Sequence, residues 1–149
     1  MLCFFIGHRN ATTQLMPQLE TAIKKHICDY SVTDFVVGQY GAFDRMAARA
    51  VINAKKIFPE ISLSILLPYH PAECKIHAPE GYDSTFYPPG LELVPRRLAI
   101  VRANQYMIMH SNYLIAYAWQ PGSNAKHLLD YAKSRENKNQ IYITNLALS

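Results

Sequence analysis

A chain of 149 residues, half of them hydrophobic and 17% charged, has the size and composition of one globular domain with a buried core. That balance excludes a disordered chain, and apolar runs no longer than a strand exclude a membrane-spanning helix. The net charge of +4 is spread along the chain with no run of five basic residues. It fits an anionic small ligand as well as it fits nucleic acid, and nucleic acid is the less expected partner.

Residues 2–6 form the first predicted strand, apolar and without the basic leader of a signal peptide. The strand runs directly into Gly7-His8-Arg9. Residues 11–28 place Leu15, Leu19, Ala22, Ile23 and Ile27 on one helical face, with Thr12 or Thr13 as a cap and Pro17 suited to a first turn. A second strand, 35–37, enters Gly38-Gln39-Tyr40-Gly41-Ala42-Phe43-Asp44. Helix 44–57 follows, with Asp44 as its natural N-cap and Met46, Ala47, Ala50, Val51, Ala54 and Ile57 inward.

Residues 61–67 are a third strand, stopped by Pro68. Residues 68–95 are rich in Pro, Gly, Tyr and His and read as one long loop. Loops of that length are usually functional or disordered, and Tyr69, Tyr82, Phe86 and Tyr87 argue against disorder. Helical spacing resumes over 96–110 through Leu98, Val101 and Met107. Strand 113–119 then runs into Gln120-Pro121-Gly122-Ser123-Asn124. Helix 124–136 carries Ala125, Leu128, Leu129 and Ala132 inward, and 141–143 is a short last strand. Strands alternating with helices predict an α/β protein: a Rossmann-like open, mostly parallel sheet with helices on both faces, in one domain over 1–149.

A strand entering a glycine-polar turn thus occurs three times. In a parallel sheet such turns gather at the carboxyl ends of the strands, where ligands bind. Gly7, Gly38, Gly41 and Gly122 would let a phosphate or ribose approach, or would serve only turns with unusual dihedrals. Arg9 could fork onto a phosphate or form a structural ion pair. His8 could bond or stack on a base, or be a satisfied loop residue. Asp44 is first a cap and second a ribose contact. Arg45 and Arg49, four apart, read as a solvated face. Arg97 and Arg102 belong to the densest basic group, beside the long loop. Asn104 suits a base edge or a helix cap. Trp119, just before the third turn, suits stacking on a base or an interface.

Cys3, Cys28 and Cys74 are scattered and include no C-x-x-C pair, so neither a disulfide framework nor a structural zinc site is expected, and a reduced cytoplasm is the expected location. His70, Glu73 and His77 match no metal spacing, and Pro71 interrupts any helix there. No metal or cofactor is expected. Ser123 and the cysteines have no argued base partner, so no catalytic residue is assigned.

Several of these motifs together resemble the SLOG superfamily, the Rossmann-like domains related to DprA/Smf, Lonely Guy and YpsA-type proteins. Gly7-His8-Arg9 looks like the family's G-S-R element, and Gly38 to Asp44 like its second glycine loop. Arg102-Ala103-Asn104-Gln105-Tyr106-Met107 is similar to its R-N-x-x-M helix with one residue inserted. Ser111 to Ala116 resembles S-D-x-L-I-A with Asn112 for Asp. Pro121-Gly122-Ser123-Asn124-Ala125 stands where the phosphate loop would be, with one glycine. The resemblance implies binding of a nucleotide-derived small molecule, in a sensor or sequestering role in nucleotide signalling, in a protein that can form homo-oligomers. Lonely Guy enzymes carry a catalytic Glu in P-G-G-x-G-T-x-x-E. No Glu falls in that turn here, and Asp130 lies too far along. The rival readings are therefore a Lonely Guy-type nucleotide N-glycosidase, and third a DprA-like single-stranded DNA binder.

Overall fold

The structure, a computed structural model, describes residues 1–70, 72 and 80–148. Its elements are β1 (Leu2–Gly7), α1 (Met16–Tyr30), β2 (Asp34–Val37), α2 (Ala42–Lys55), β3 (Ser62–Leu66), β4 (Ser84–Phe86), α3 (Ala99–His110), β5 (Tyr113–Tyr117), α4 (Asn124–Glu136) and β6 (Tyr142–Asn145). The strands form one six-stranded sheet in the order β4-β3-β2-β1-β5-β6. Every pairing is parallel. The predicted strands 2–6, 35–37, 61–67 and 113–119 are indeed neighbours, and the fold is Rossmann-like α/β.

Alternation along β1 sends successive side chains to opposite faces of the sheet. Cys3 and Phe5 join Phe35, Leu63 and Ile115 beneath α1 and α2. Phe4 and Ile6 join Val36, Leu66, Leu114 and Ala116 beneath α3 and α4. Both faces are therefore covered, which is why β1 and β5 read as continuous apolar runs, whereas β3, next to the edge strand, alternates through Ser62 and Ser64. Leu19 and Ile23 of α1 are fully buried, each side chain contributing roughly 1.5–3 kcal/mol of burial free energy.

The inward faces of α1 and α4 are those expected from periodicity, since all the named residues are buried. Neither Thr12 nor Thr13 caps α1. A 3₁₀ turn over Thr13–Leu15 precedes it, its N-cap is Leu15 without a side-chain bond, and Pro17 lies in its first turn. Helix α2 begins at Ala42, two residues before the expected start, and its N-cap is Gly41. Phe43 is thereby turned into the core, while Ile57, past the last turn, is 71% exposed. Helix α3 begins at Ala99, after a 3₁₀ turn over Arg96–Leu98. Its buried residues are Ala99, Ala103, Met107 and Ile108, so the helix is phased on its small residues. Leu98 and Val101 fall off that stripe and are exposed.

The segment read as one loop contains an edge strand, β4, paired with β3 through Ser64↔Ser84, Ile65↔Thr85 and Leu66↔Phe86. Lys55 of α2 reinforces the approach to it with a 2.6 Å ion pair to Asp83, whose Oδ2 also accepts the Leu63 N–H at 2.8 Å. Ser-Thr-Phe between Pro, Gly and Asp carries no apolar run, and only pairing with β3 makes it a strand. No helix among the described residues is long and apolar enough to cross a membrane.

Candidate functional site

From β1 the chain steps through β2 to β3 on one side, then crosses by α3 to β5 and β6 on the other. The turns leaving β1 and β5 therefore diverge to opposite faces, and a crevice opens between their carboxyl ends. A cavity of about 320 Å³ occupies it. Ile6, Leu66, Ile100, Ala103 and Leu128 give it an apolar floor. Arg9, Asn10, Tyr40, Asp44, Asn104, Gln120, Ser123 and Asn124 give it a polar wall. All three strand-to-glycine turns reach this wall. Gly7 and Gly38 line it directly, whereas Gly41 and Gly122 stand beside it.

The glycines are explained by the chain's own packing. A Cβ on Gly7 would lie 2.2 Å from Cγ of Phe43, and one on Gly38 would lie 2.7 Å from Oδ2 of Asp44. Gly41, at φ +105°, would bring a Cβ to 2.7 Å from the Cα of Arg9. The turn after β1 is thus laid directly on the start of α2. Gly122, at φ +78°, has open space where a Cβ would go and serves the turn.

His8 is the tie between the first and third turns. It is 4% exposed, and its Nε2 accepts the N–H of Trp119 at 2.9 Å and that of Gln120 at 3.3 Å. A ring nitrogen that accepts two bonds is unprotonated, so the neutral ring carries its proton on Nδ1. Burial holds the His8 pKa below its ordinary value. The ring packs edge-on against Tyr117 and Trp119. Trp119 itself is 53% exposed and covers His8 rather than the cavity.

Asp44 is not the cap expected of it. It is the third residue of α2, and its carboxyl folds back so that Oδ2 accepts the Tyr40 N–H at 3.1 Å. This resembles one half of a capping box, in which an acid in the first turn reaches back to a preceding N–H. Burial pushes its pKa up to about 7, with the Tyr40 bond, Arg9 and Arg45 pulling the other way. Gln39 leaves the wall altogether: its Nε2 donates to the Leu66 carbonyl at 3.4 Å and fastens the β2 turn to β3.

Across the cavity, Ser123 caps α4. Its Oγ accepts the Lys126 N–H at 3.1 Å and donates to the Gln120 carbonyl at 2.8 Å. Asn124 and Ala125, at the first turn of the helix, line the cavity, and their N–H groups have no intrahelical acceptor. Ser123→Ala is expected to lower stability by about 1 kcal/mol in urea denaturation, the usual effect of losing such a cap. No change would mean that the turn holds without it.

Asn104 lines the cavity from α3, its Nδ2 donating to the Ile100 carbonyl at 3.0 Å. Arg97 and Arg102 do not reach the wall. The first sits in the 3₁₀ turn, the second on the solvent face of α3 beside buried Ala103. Arg45 and Arg49 line a separate shallow groove with Tyr82. His70 packs on Tyr87, while Glu73, Cys74 and His77 lie outside the described residues. Asp130 pairs with Lys126 at 2.7 Å. Sequence reasoning missed Asn10, one residue beyond Gly7-His8-Arg9, Gln120, the first residue of the third turn, and the floor residue Ala103, whose small side chain carries no pattern of its own.

Among the described residues, Asp44 is the only carboxylate in the cavity wall. The arrangement offers the start of α4, one guanidinium at the rim, amides on two sides and an apolar floor. It suits a ligand with an anionic end and a flat or apolar end. No protein-family model matches this chain, and no curated protein matches it.

Proposed function

We propose that the protein binds a nucleotide or nucleotide-derived small molecule in this cavity. The observation that supports the reading is the convergence of the turns after β1, β2 and β5 on one crevice at the sheet's switch point. In this reading the phosphate lies on the first N–H groups of α4 and is neutralised by Arg9, while the base lies over the apolar floor. The role is that of a cytoplasmic sensor or sequestering protein of SLOG type, in a chain that can self-associate. A Lonely Guy-type hydrolysis has less support, because the wall offers one acid and the α4 turn carries none.

The test is a thermal-shift screen with nucleotides, cyclic dinucleotides and ADP-ribose derivatives. A ligand at a hundredfold excess over its Kd should stabilise the protein by about 2.7 kcal/mol. Calorimetry with the best ligand follows. Arg9→Ala should weaken binding by about tenfold to a hundredfold, as expected for a charged hydrogen bond. Arg97→Ala and Arg102→Ala, outside the wall, should bind like the parent. Equal binding by Arg9→Ala would remove the phosphate contact, and free base appearing in the cell would make the protein an enzyme.

A further inference from the structure

We infer that Asp44 selects the sugar of the ligand: its cavity-facing oxygen accepts a hydrogen bond from a ribose hydroxyl, so the pocket prefers ribonucleotides to deoxy analogues. The inference rests on the nucleotide reading and adds to it the class of nucleotide. Its basis is geometric. The two carboxylate oxygens of Asp44 have different surroundings. Oδ2 is held by the Tyr40 N–H and lies where a Gly38 side chain would be, so it is committed to the protein. Oδ1 takes no hydrogen bond from any described residue, and Asp44 lines the cavity.

Charge then orders the ligand. A phosphate repels the ionised Asp44 carboxylate, which Arg9 and Arg45 favour, whereas the start of α4 attracts it. The part of the nucleotide facing α2 must therefore be neutral and must donate. A sugar hydroxyl, next to the phosphate in any nucleotide, meets both conditions. The amides of Asn104 and Gln120 and the apolar floor remain for the base. The groups facing Asp44 are Arg9 from the turn after β1, Arg45 from α2 and Tyr82 from the segment before β4, with neutral His8 in the same wall. The two guanidiniums favour the ionised carboxylate that an incoming hydroxyl needs, and burial opposes it. A hydroxyl bonded to Oδ1 tips that balance, so binding near neutral pH should expel the Asp44 proton.

The experiment is calorimetry at pH 7 with the tightest binder among AMP, GMP, CMP and UMP and with its 2′-deoxy and 3′-deoxy forms. One deoxy form should bind the parent protein about tenfold more weakly, the usual effect of losing one hydrogen bond to a charged group. In Asp44→Asn the amide oxygen keeps the Tyr40 N–H and the amide nitrogen takes the cavity side, so the discrimination should fall below about threefold. Measured in two buffers of different ionisation enthalpy, the parent should release more protons on binding than Asp44→Asn, which corrects for the phosphate's own titration. Equal discrimination in both proteins, none in either, or net proton uptake by the parent relative to the variant would overturn the inference and leave the nucleotide reading standing. If no monophosphate binds, the inference falls; if no ligand of the thermal-shift screen binds, the nucleotide reading falls with it.

Discussion

Gly7→Ala should lower the stability of the protein by about 3 kcal/mol, at the upper end of what overpacking a core costs. The new methyl would fall 2.2 Å from Cγ and 2.4 Å from Cδ2 of Phe43. That ring has no room to retreat. It is fully buried beneath α2 and stacked at 6.4 Å on Tyr117, which pairs with Gly7 across the sheet. The loss would spread to the site, because Phe43 and Asp44 share the first turn of α2. Urea denaturation of the single variants and of Gly7→Ala/Phe43→Leu measures it. In the smaller Leu background the alanine should cost at least about 1 kcal/mol less, the coupling expected of two residues in contact. A Gly7→Ala protein within about 0.5 kcal/mol of the parent would show that the ring yields freely, and the packing account of this glycine would fail.

The larger expected effect is on pH. Asp44 has an ordinary pKa of 3.8 and a folded value of about 7, raised by burial. Between those values the folded protein keeps a proton that the unfolded chain gives up. Stability is therefore greatest, for this group, below about pH 4, declines as pH rises to about 7 and stays lower above it. The shift of about three pH units corresponds to at most about 4 kcal/mol. His8 and His26 act in the opposite sense. Burial lowers both their pKa values, so their contribution is complete above about pH 6.5 and is lost as the pH falls. The variant difference carries the prediction rather than the raw profile. Asp44→Asn should match the parent near pH 4 and exceed it by up to about 4 kcal/mol at pH 8, in denaturant titrations across that range. A constant difference at all pH values would mean that Asp44 is ionised throughout and that its wall of the cavity is wetter than the structure implies.

Much of the fold was legible because it is written in local periodicity. The apolar faces of α1 and α4 recur every three or four residues, and both came out residue by residue. Strands β1 and β5 are apolar on both faces, which a doubly covered sheet explains. Where local pattern was weak the reading slipped. Leu98 and Val101 look like core residues in isolation, but Ala99 and Ala103 let α3 lie close to the sheet and set its phase. Edge strand β4 has no signal of its own and exists through its ladder to β3.

The site divides along the same line. Sequence by itself determined that three glycine turns follow three parallel strands, that such turns share one edge of the sheet, and that Arg9, Asp44, Asn104 and Ser123 lie near it. Those statements depend on chain order and on strand direction, both of which are local. Only the tertiary structure decided what the residues do there. Gly7, in the cavity wall, leaves room for Phe43, His8 bolts the β5 turn in place, Arg97 and Arg102 stand outside the wall, and Asp44 turns from helix cap to cavity wall. Each of these depends on which side chain of a distant segment fills the neighbouring volume. That is settled by the packing of α2 and α3 against opposite faces of the sheet, a long-range fact that no run of adjacent residues contains.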